Sequence, residues 1–336
     1  MVTIKDIAKL AGVSHTTVSR ALNDSPLIKP ATKDKIKKIA TELHYVPNFN
    51  AKSLVNQKSY TIGVFFSSIS HGTSSSFLVD VIKGVNSVLD ENYSIAVNGI
   101  DTLVHFDKII SKRFDGIIVL SQSDTDNAFI YYIQQTGIPL VVLNRRLDDP
   151  SIPNVSANDQ QGVEQAIDEA ISLGHKDLAY INGKSSFRSS AERKQGFINN
   201  SLSKHQLPIQ PEFMVNGDYS MESGFEKMKQ LLDLPTPPSL VFCANDDMAI
   251  GALKACFLKE RKVPHDISII GFDDTAFAQY STPALTTIHK PIDKISEIGM
   301  QMLIALMNSD TLEETQILVD TFLVKRESLS YPTKQS

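Results

Sequence analysis

The stretch TIKDIAKLAGVSHTTVSRALN, residues 3–23, contains two short helical patterns separated by a glycine. Thr3 followed three residues later by Asp6 is close to a capping box. Ile4, Ile7, Ala8 and Ala11 then recur at helical spacing. Gly12 interrupts that run and takes the positive φ of a tight turn at no steric cost. Ser14 suits the N-cap of a second helix, whose inward positions are Val18, Ala21 and Leu22. Two short helices joined by a tight turn, often with a glycine, describe a helix-turn-helix. In that motif the N-terminal residues of the second helix reach base edges in the major groove. Here those residues are His15, Thr16 and Arg20, beside the hydroxyls of Ser14, Thr17 and Ser19. Thr3 and Asn23, at the two ends of the stretch, join them as candidate DNA contacts. The alternative is an αα-hairpin capping a core, but its outer face would carry mixed charges. This one crowds polar, hydrogen-bonding side chains on one side.

A third helix follows. Pro30 falls where the first helical residue is expected, and Ile36, Ile39, Ala40 and Leu43 supply an apolar stripe. Lys33, Lys35, Lys37 and Lys38 between them read as a solvated face. The run ends at His44-Tyr45-Val46-Pro47, because a residue before proline avoids the α region. Residues 48–58 form a polar linker whose apolar feature is Ala51 with Leu54, too short for a stable isolated helix. Residues 1–58 hold ten Lys/Arg against four Asp/Glu, a net +6, so the remainder carries −11 of the total −5. A basic front end on an acidic body fits a chain that meets nucleic acid at one end only.

From Tyr60 onward, short apolar runs alternate with helical periods. The runs are 60–66, 93–97, 115–120, 138–143, 177–181, 239–244 and 266–272. Continuous apolar strands between helices indicate parallel sheets covered on both faces, and seven of them in this length suggest two doubly wound α/β subdomains. The 336 residues are 42% hydrophobic and 21% charged, as in an ordinary globular chain. The start lacks a secretory pattern, no run approaches a membrane span, and Cys243 and Cys256 form no CxxC. A reduced, cytoplasmic chain is expected.

In open α/β sheets ligands bind at the carboxyl ends of strands, and with two subdomains the natural site is the cleft between them. Polar residues directly after the apolar runs are therefore the candidates: Asn144-Arg145, Asn245-Asp246, Asp273-Asp274 and the hydroxyl-rich loop 67–76, which includes Ser68. Arg193 and Tyr219 belong to the same set. Duller readings exist for each. Asp246 or Asp247 could N-cap the following helix, Asp274 could cap a turn, and Arg193 could form a surface ion pair.

The run KDIAKLAGVSHTTVSRALN (5–23) resembles the headpiece of the LacI/GalR family of bacterial transcription regulators. The likeness continues in HYVPNFNAKSLV (44–55), CANDDMAIGA (243–252) and IIGFDDTAFAQYSTPALTTI (269–288). It implies an all-α headpiece over 1–47 and a hinge over 48–59. It also implies a periplasmic-binding-protein-like body, one subdomain taking 60–157 plus 289–318 and the other 158–288 plus 319–332. In such proteins the hinge folds on the operator and a leucine wedges into the minor groove. Leu54 holds that position, with Asn48 and Ala51 beside it. The likeness further implies that Arg193, Asn245 and Asp273 bond an effector's hydroxyls and that Tyr219 packs on its face. Lys290 stands where many sugar-binding members have glutamine. With Arg193, and with Arg145 if it also faces the cleft, it makes the site more cationic than a neutral sugar needs. The chain also resembles hexuronate-operon repressors of Gram-positive bacteria, which agrees with a sugar-acid effector.

The expectation is thus a repressor that binds a pseudo-palindromic double-stranded operator as a homodimer, since the chain stops at Ser336 without a C-terminal apolar heptad helix. It responds to a sugar or sugar acid and needs no cofactor, metal or membrane. Whether the effector releases or promotes DNA binding stays open. An enzyme acting on carbohydrate is the second reading, yet the chain has no GxGxxG after a strand, P-loop, HExxH or GxSxG. A pure binding module with a helical arm is the third, opposed by the +6 headpiece.

Overall fold

The computed structural model describes residues 2–45, 58–69, 73–107 and 113–332. The chain divides into two compact units, Met1–Lys58 and Ser59–Ser336.

The first unit is built on α1 (Ile4–Ala11), α2 (His15–Leu22) and α3 (Pro30–Glu42). The Asp6 carboxylate accepts from the Thr3 N–H at 2.8 Å and from the Thr3 hydroxyl at 2.7 Å, so the backward arm of the capping box forms. Gly12 has φ +70° and the Val13 N–H donates to the Ala8 carbonyl at 3.1 Å, a Schellman-type ending. Ser14 caps α2 by accepting from the Thr17 N–H at 3.1 Å. Ile7, Ala8, Ala11, Val18, Ala21, Ile36 and Ala40 form the small buried core. The α3 lysines are less free than a solvated face would leave them. Lys35 donates to the Ala11 carbonyl at 3.0 Å, Lys33 to the Asp24 carbonyl at 2.9 Å, and Lys37 to the Asp24 carboxylate at 2.7 Å. Unsatisfied carbonyls at a helix end attract cations, which explains the inward turn of Lys35.

The second unit alternates strand and helix. Its first part runs β1 (Thr61–Phe66), α4 (Ser75–Asn86), β2 (Ser94–Gly99), β3 (Gly116–Leu120), α5 (Asn127–Thr136), β4 (Leu140–Leu143) and β5 (Asn154–Ala157). Then come α6 (Asp159–Ser172), β6 (Leu178–Asn182), α7 (Arg188–Ile198), β7 (Met214–Asn216), α8 (Met221–Leu232), β8 (Leu240–Cys243), α9 (Asp246–Leu258) and β9 (Ser268–Ile270). The last part is β10 (Thr287–His289), α10 (Ile292–Met307), β11 (Gln316–Val319) and β12 (Phe322–Val324).

Two parallel sheets make two lobes. The first has the order β11-β5-β4-β3-β1-β2 and the second β7-β6-β8-β9, while β10 and β12 pair antiparallel as a separate ribbon. All seven apolar runs are strands. The structure adds β5, β7, β10, β11 and β12, which are short or polar and carry no long apolar run. The first sheet has apolar clusters on both faces, one with Phe66, Leu120 and Leu303 and one with Phe65, Val119 and Phe129. The second lobe has one large cluster around Tyr180, Phe197, Phe242 and Phe272. Gly224 and Gly251 let α8 and α9 approach closely: a Cβ on Gly224 would lie 2.1 Å from the Met248 carbonyl oxygen.

A unit as small as the first buries little apolar surface. Ile36→Ala removes a fully buried side chain, and is expected to cost the headpiece about 2–5 kcal/mol. In a thermal melt the headpiece should unfold separately and early, while the transition of the body stays where it is.

Candidate functional site

The headpiece presents α2 outward. His15, Thr16 and Arg20 are exposed, and among the described residues their side chains have no hydrogen-bond or ion-pair partner. Other candidates are already engaged. The Ser14 and Thr17 hydroxyls meet at 2.9 Å, the Thr3 hydroxyl serves Asp6, and Asn23 donates its amide to the Ser19 carbonyl at 3.0 Å. The Val18 and Ala21 face is buried, which fixes the direction of the polar one. Asn48, Ala51 and Leu54 lie outside the described residues.

In the body, residues after strands of both lobes line a cavity of about 40 Å³. Six sequence candidates meet there: Asn144, Arg193, Tyr219, Asn245, Asp273 and Lys290. The cavity adjoins a recess of about 380 Å³ that shares Asp273 and Lys290. Three of the six have left-handed backbones, with φ +73° at Asn144, +75° at Tyr219 and +113° at Asp273. Such conformations are costly for residues other than glycine and concentrate at functional sites.

Arg193 is the centre of the polar network. Its Nε donates to Asp159 Oδ2 at 2.8 Å, one terminal nitrogen donates to the Ala244 carbonyl, and the other lies 3.5 Å from Asp273. Its guanidinium sits 3.6 Å from the centre of the Phe272 ring. Lys290 reaches both lobes. Its Nζ donates to Asn144 Oδ1 at 2.8 Å and lies 3.4 Å from Asp159 Oδ1. Burial works to raise the Asp159 carboxyl, but Arg193 and Lys290 outweigh it and hold the group below the ordinary range. Burial likewise opposes the Arg193 charge, and Asp159 with Asp273 overcomes it. Asp273 goes the other way. Burial pushes it up to about 6 despite Arg193 and Lys290.

Tyr219 stacks on Phe187 with ring centres 5.7 Å apart, and its hydroxyl meets those of Ser189 and Ser190 at 3.1 and 2.7 Å. The ring lies against Gly183, where a Cβ would come within 2.1 Å of it. Asn245 holds two posts. It caps α9 by accepting from the Met248 N–H at 3.0 Å, and its amide donates to the Tyr219 carbonyl at 3.0 Å.

Three of the duller readings fail, those for Asp246/Asp247, Asp274 and Arg193, and the cleft expectations for Arg145 and Ser68 are corrected. The cap of α9 is Asn245, not Asp246 or Asp247. Asp246 is instead buried, accepting from the Thr287 hydroxyl at 2.5 Å and the Thr275 N–H at 2.7 Å. Asp274 caps no turn; it pairs with His289 at 3.0 Å and Arg326 at 2.6 Å. Arg193 is buried rather than on the surface. Arg145 does not line the cavity. It is buried in the first lobe and donates to Ser121 at 2.8 Å, Asp124 at 2.6 Å and Asn127 at 2.6 Å. Ser68 does not line it either; it is buried, and its carbonyl accepts from the Thr73 hydroxyl at 2.6 Å. Gln122 and Phe187 line the cavity and Asp159 pairs with Arg193 and Lys290; sequence reasoning missed all three. Gln122 follows β3 and Asp159 follows β5, so the strand-end rule reaches both once the strand ends are known.

Comparison with known proteins agrees with this fold. Residues 3–48 match the description "Bacterial regulatory proteins, lacI family", and residues 167–329 match a periplasmic binding protein-like domain. The probable HTH-type transcriptional repressor ExuR of Bacillus subtilis is 54% identical over 329 residues, covering 98% of this chain and 98% of that protein. The chain belongs to the lacI family. Another relative, catabolite control protein A of Priestia megaterium, is 29% identical over 97% of this chain and 99% of its own. Among solved structures, the lac repressor dimer bound to operator and an anti-inducer superposes with a TM-score of 0.83 at 28% identity, over 97% of this chain and 98% of that one. A CelR–cellobiose complex gives 0.74 at 26% identity, over 98% and 100%. Among the described residues of this lacI-family chain, no helix is long and apolar enough to cross a membrane and no cluster of side chains suits a metal ion.

The raised Asp273 carboxyl gives this lacI-family body a pH signature. Because the folded state holds that proton more tightly than the unfolded chain, the group favours folding fully below the ordinary value of 3.8 and loses this contribution as pH rises through about 6. Asp273→Asn is therefore expected to gain stability relative to the parent as pH goes from about 5 to about 7.5, read as the difference in urea midpoints of the body.

Proposed function

We propose that this chain is a dimeric transcriptional repressor. Its headpiece, residues 1–47, binds a pseudo-palindromic operator in double-stranded DNA through α2. A hinge over 48–59 carries the wedge residue Leu54, flanked by Asn48 and Ala51. The body senses a small carbohydrate between one lobe of 60–157 plus 289–318 and another of 158–288 plus 319–332. The effector is a sugar acid, a hexuronate being the leading case, and its binding releases the operator. The protein acts in the cytoplasm, needs no cofactor and catalyses no reaction.

For DNA binding, the observation that carries the reading is the exposed, unpaired row His15, Thr16 and Arg20 above a buried opposite face. The repressor names of its relatives support it. For the effector, it is Lys290. The cleft holds two cations, Arg193 and Lys290, against Asp159 and a reluctant Asp273. An effector carboxylate would form charge-assisted hydrogen bonds with these two cations, in competition with the two aspartates. Tyr219 offers a flat apolar face to the sugar ring. Ligand at this seam shifts the lobe arrangement only by its differential affinity for the two states, typically ~1–3 kcal/mol.

Gel-shift titration on a pseudo-palindromic operator tests the first half. Arg20→Ala is expected to lose about 1–3 kcal/mol on operator and little on random DNA; equal losses on both would make Arg20 a phosphate contact. Calorimetry with galacturonate, glucuronate and galactose tests the second. The two acids should bind more tightly than galactose, and Lys290→Gln should erase a preference of about tenfold, or ~1.4 kcal/mol. Heat from galactose alone would end the sugar-acid reading.

A further inference from the structure

Arg188 is a cation where a helix disfavours one. It is the first residue of α7, and the first turn of that helix has no acidic side chain. Aligned N–H groups make a helix N-terminus locally positive, so arginine there is unfavourable. A broken local rule calls for a compensating partner, and the partners lie across the lobe seam. The Arg188 guanidinium is 3.8 Å from Asp124 and 3.5 Å from Asp148, both in the first lobe's strand-connecting segments. Its backbone N–H donates to the Gln122 carbonyl of the same lobe at 3.0 Å. Asp124 in turn is held at 2.6 Å by buried Arg145, itself fixed by Ser121 and Asn127. Arg145, read from sequence as a cleft cation, thus braces the carboxylate that meets Arg188. The neighbours of this contact face the cavity: Gln122 on one lobe, Phe187 and Ser189 on the other. Phe187 and Ser189 both touch Tyr219.

We propose that Arg145, Asp124, Arg188 and Asp148 form an electrostatic clasp that ties the two lobes together at the edge of the cleft, with Arg188 as a positioning residue for Phe187, Ser189 and Tyr219. Its bearing on the effector response rests on the sugar-acid reading above; the clasp itself does not. Asp148 and Asp124 are largely exposed and Arg188 partly so. Salt therefore reaches the outer pairs and weakens them, while the Arg145 pair is shielded.

Hydrogen exchange on the full-length, ligand-free protein reads the clasp directly. The amides of 185–190 should exchange about threefold faster in Arg188→Ala than in the parent, a size suited to exposed pairs. Asp148→Asn, on the other lobe, should show part of that increase, and Arg188→Lys should restore some protection. Raising NaCl from about 0.05 to about 0.5 M should act on the parent and not on Arg188→Ala. Residues 178–182 of β6 serve as the unchanged reference. Faster exchange in Arg188→Ala with none in Asp148→Asn would reduce the effect to α7 alone and overturn the clasp, as would equal exchange in all variants. Galacturonate binding is measured separately. If the parent binds none, the sugar-acid reading fails while the exchange result still decides the clasp; if it binds, Arg188→Ala should weaken it by a similar factor of about three.

Discussion

A guanidinium removed from water has to be given back what water supplied, and the cleft is organised by meeting that demand for Arg193. Its side chain is 4% exposed. Two carboxylates, a main-chain carbonyl and an aromatic face surround it, drawn from three segments of the body: Asp159 at the start of α6, Ala244 after β8, and Phe272 with Asp273 after β9. Removing one partner of a buried ion pair leaves an uncompensated charge and costs several kcal/mol, about 3–5. These segments are therefore held in register by the same side chain. The bent backbones of Asn144, Tyr219 and Asp273 persist because surroundings of this kind over-determine them.

The fold brings the pieces together with little further help. Parallel strands in each lobe all end on one side, so every loop at that end projects towards the same region. Asn245 shows how economically the local rules are used. Its carbonyl oxygen satisfies a free N–H at the start of α9 while its amide holds the Tyr219 turn. Gly183 makes room for the tyrosine ring by lacking a side chain. Asp246, pushed well up by burial, ties the start of α9 to Thr275 and to Thr287 on β10.

Much of this was legible in the sequence, for reasons that can be named. The headpiece announced itself through local chemistry: a cap, a glycine turn, a second cap. The seven apolar strands followed from their continuity, the family resemblance pointed to Arg193, Tyr219 and Lys290, and the strand-end rule found Asn144, Asn245 and Asp273. What it missed has equally local causes. Arg145 was grouped with Asn144, but the chain turns at Asn144 with φ +73°, and only Asn144 faces the cavity while Arg145 is held by Ser121, Asp124 and Asn127. Asp159 was hidden because β5 reads NVSA, with no apolar run to mark a strand before it. The α3 lysines looked solvated because no sequence pattern tells that the end of α1 lies within reach of Lys35.

Lys290 gives the arrangement its direction. It follows β10, the strand of a ribbon that pairs with β12 through three residues on each side and belongs to neither sheet. Ile288 on β10 is fully buried and its carbonyl accepts from the Asp273 N–H at 2.9 Å, so the ribbon is anchored beside the second sheet. Lys290 spans from Asn144 of one lobe to Asp159 at the start of α6 in the other. A ligand anion that drew its ammonium away from either partner would alter an inter-lobe contact and load the connecting ribbon at once. A glutamine here would still hydrogen-bond a neutral sugar, but it would carry no charge to be competed for. A charge placed beside Lys290 would therefore act on the lobe contact itself.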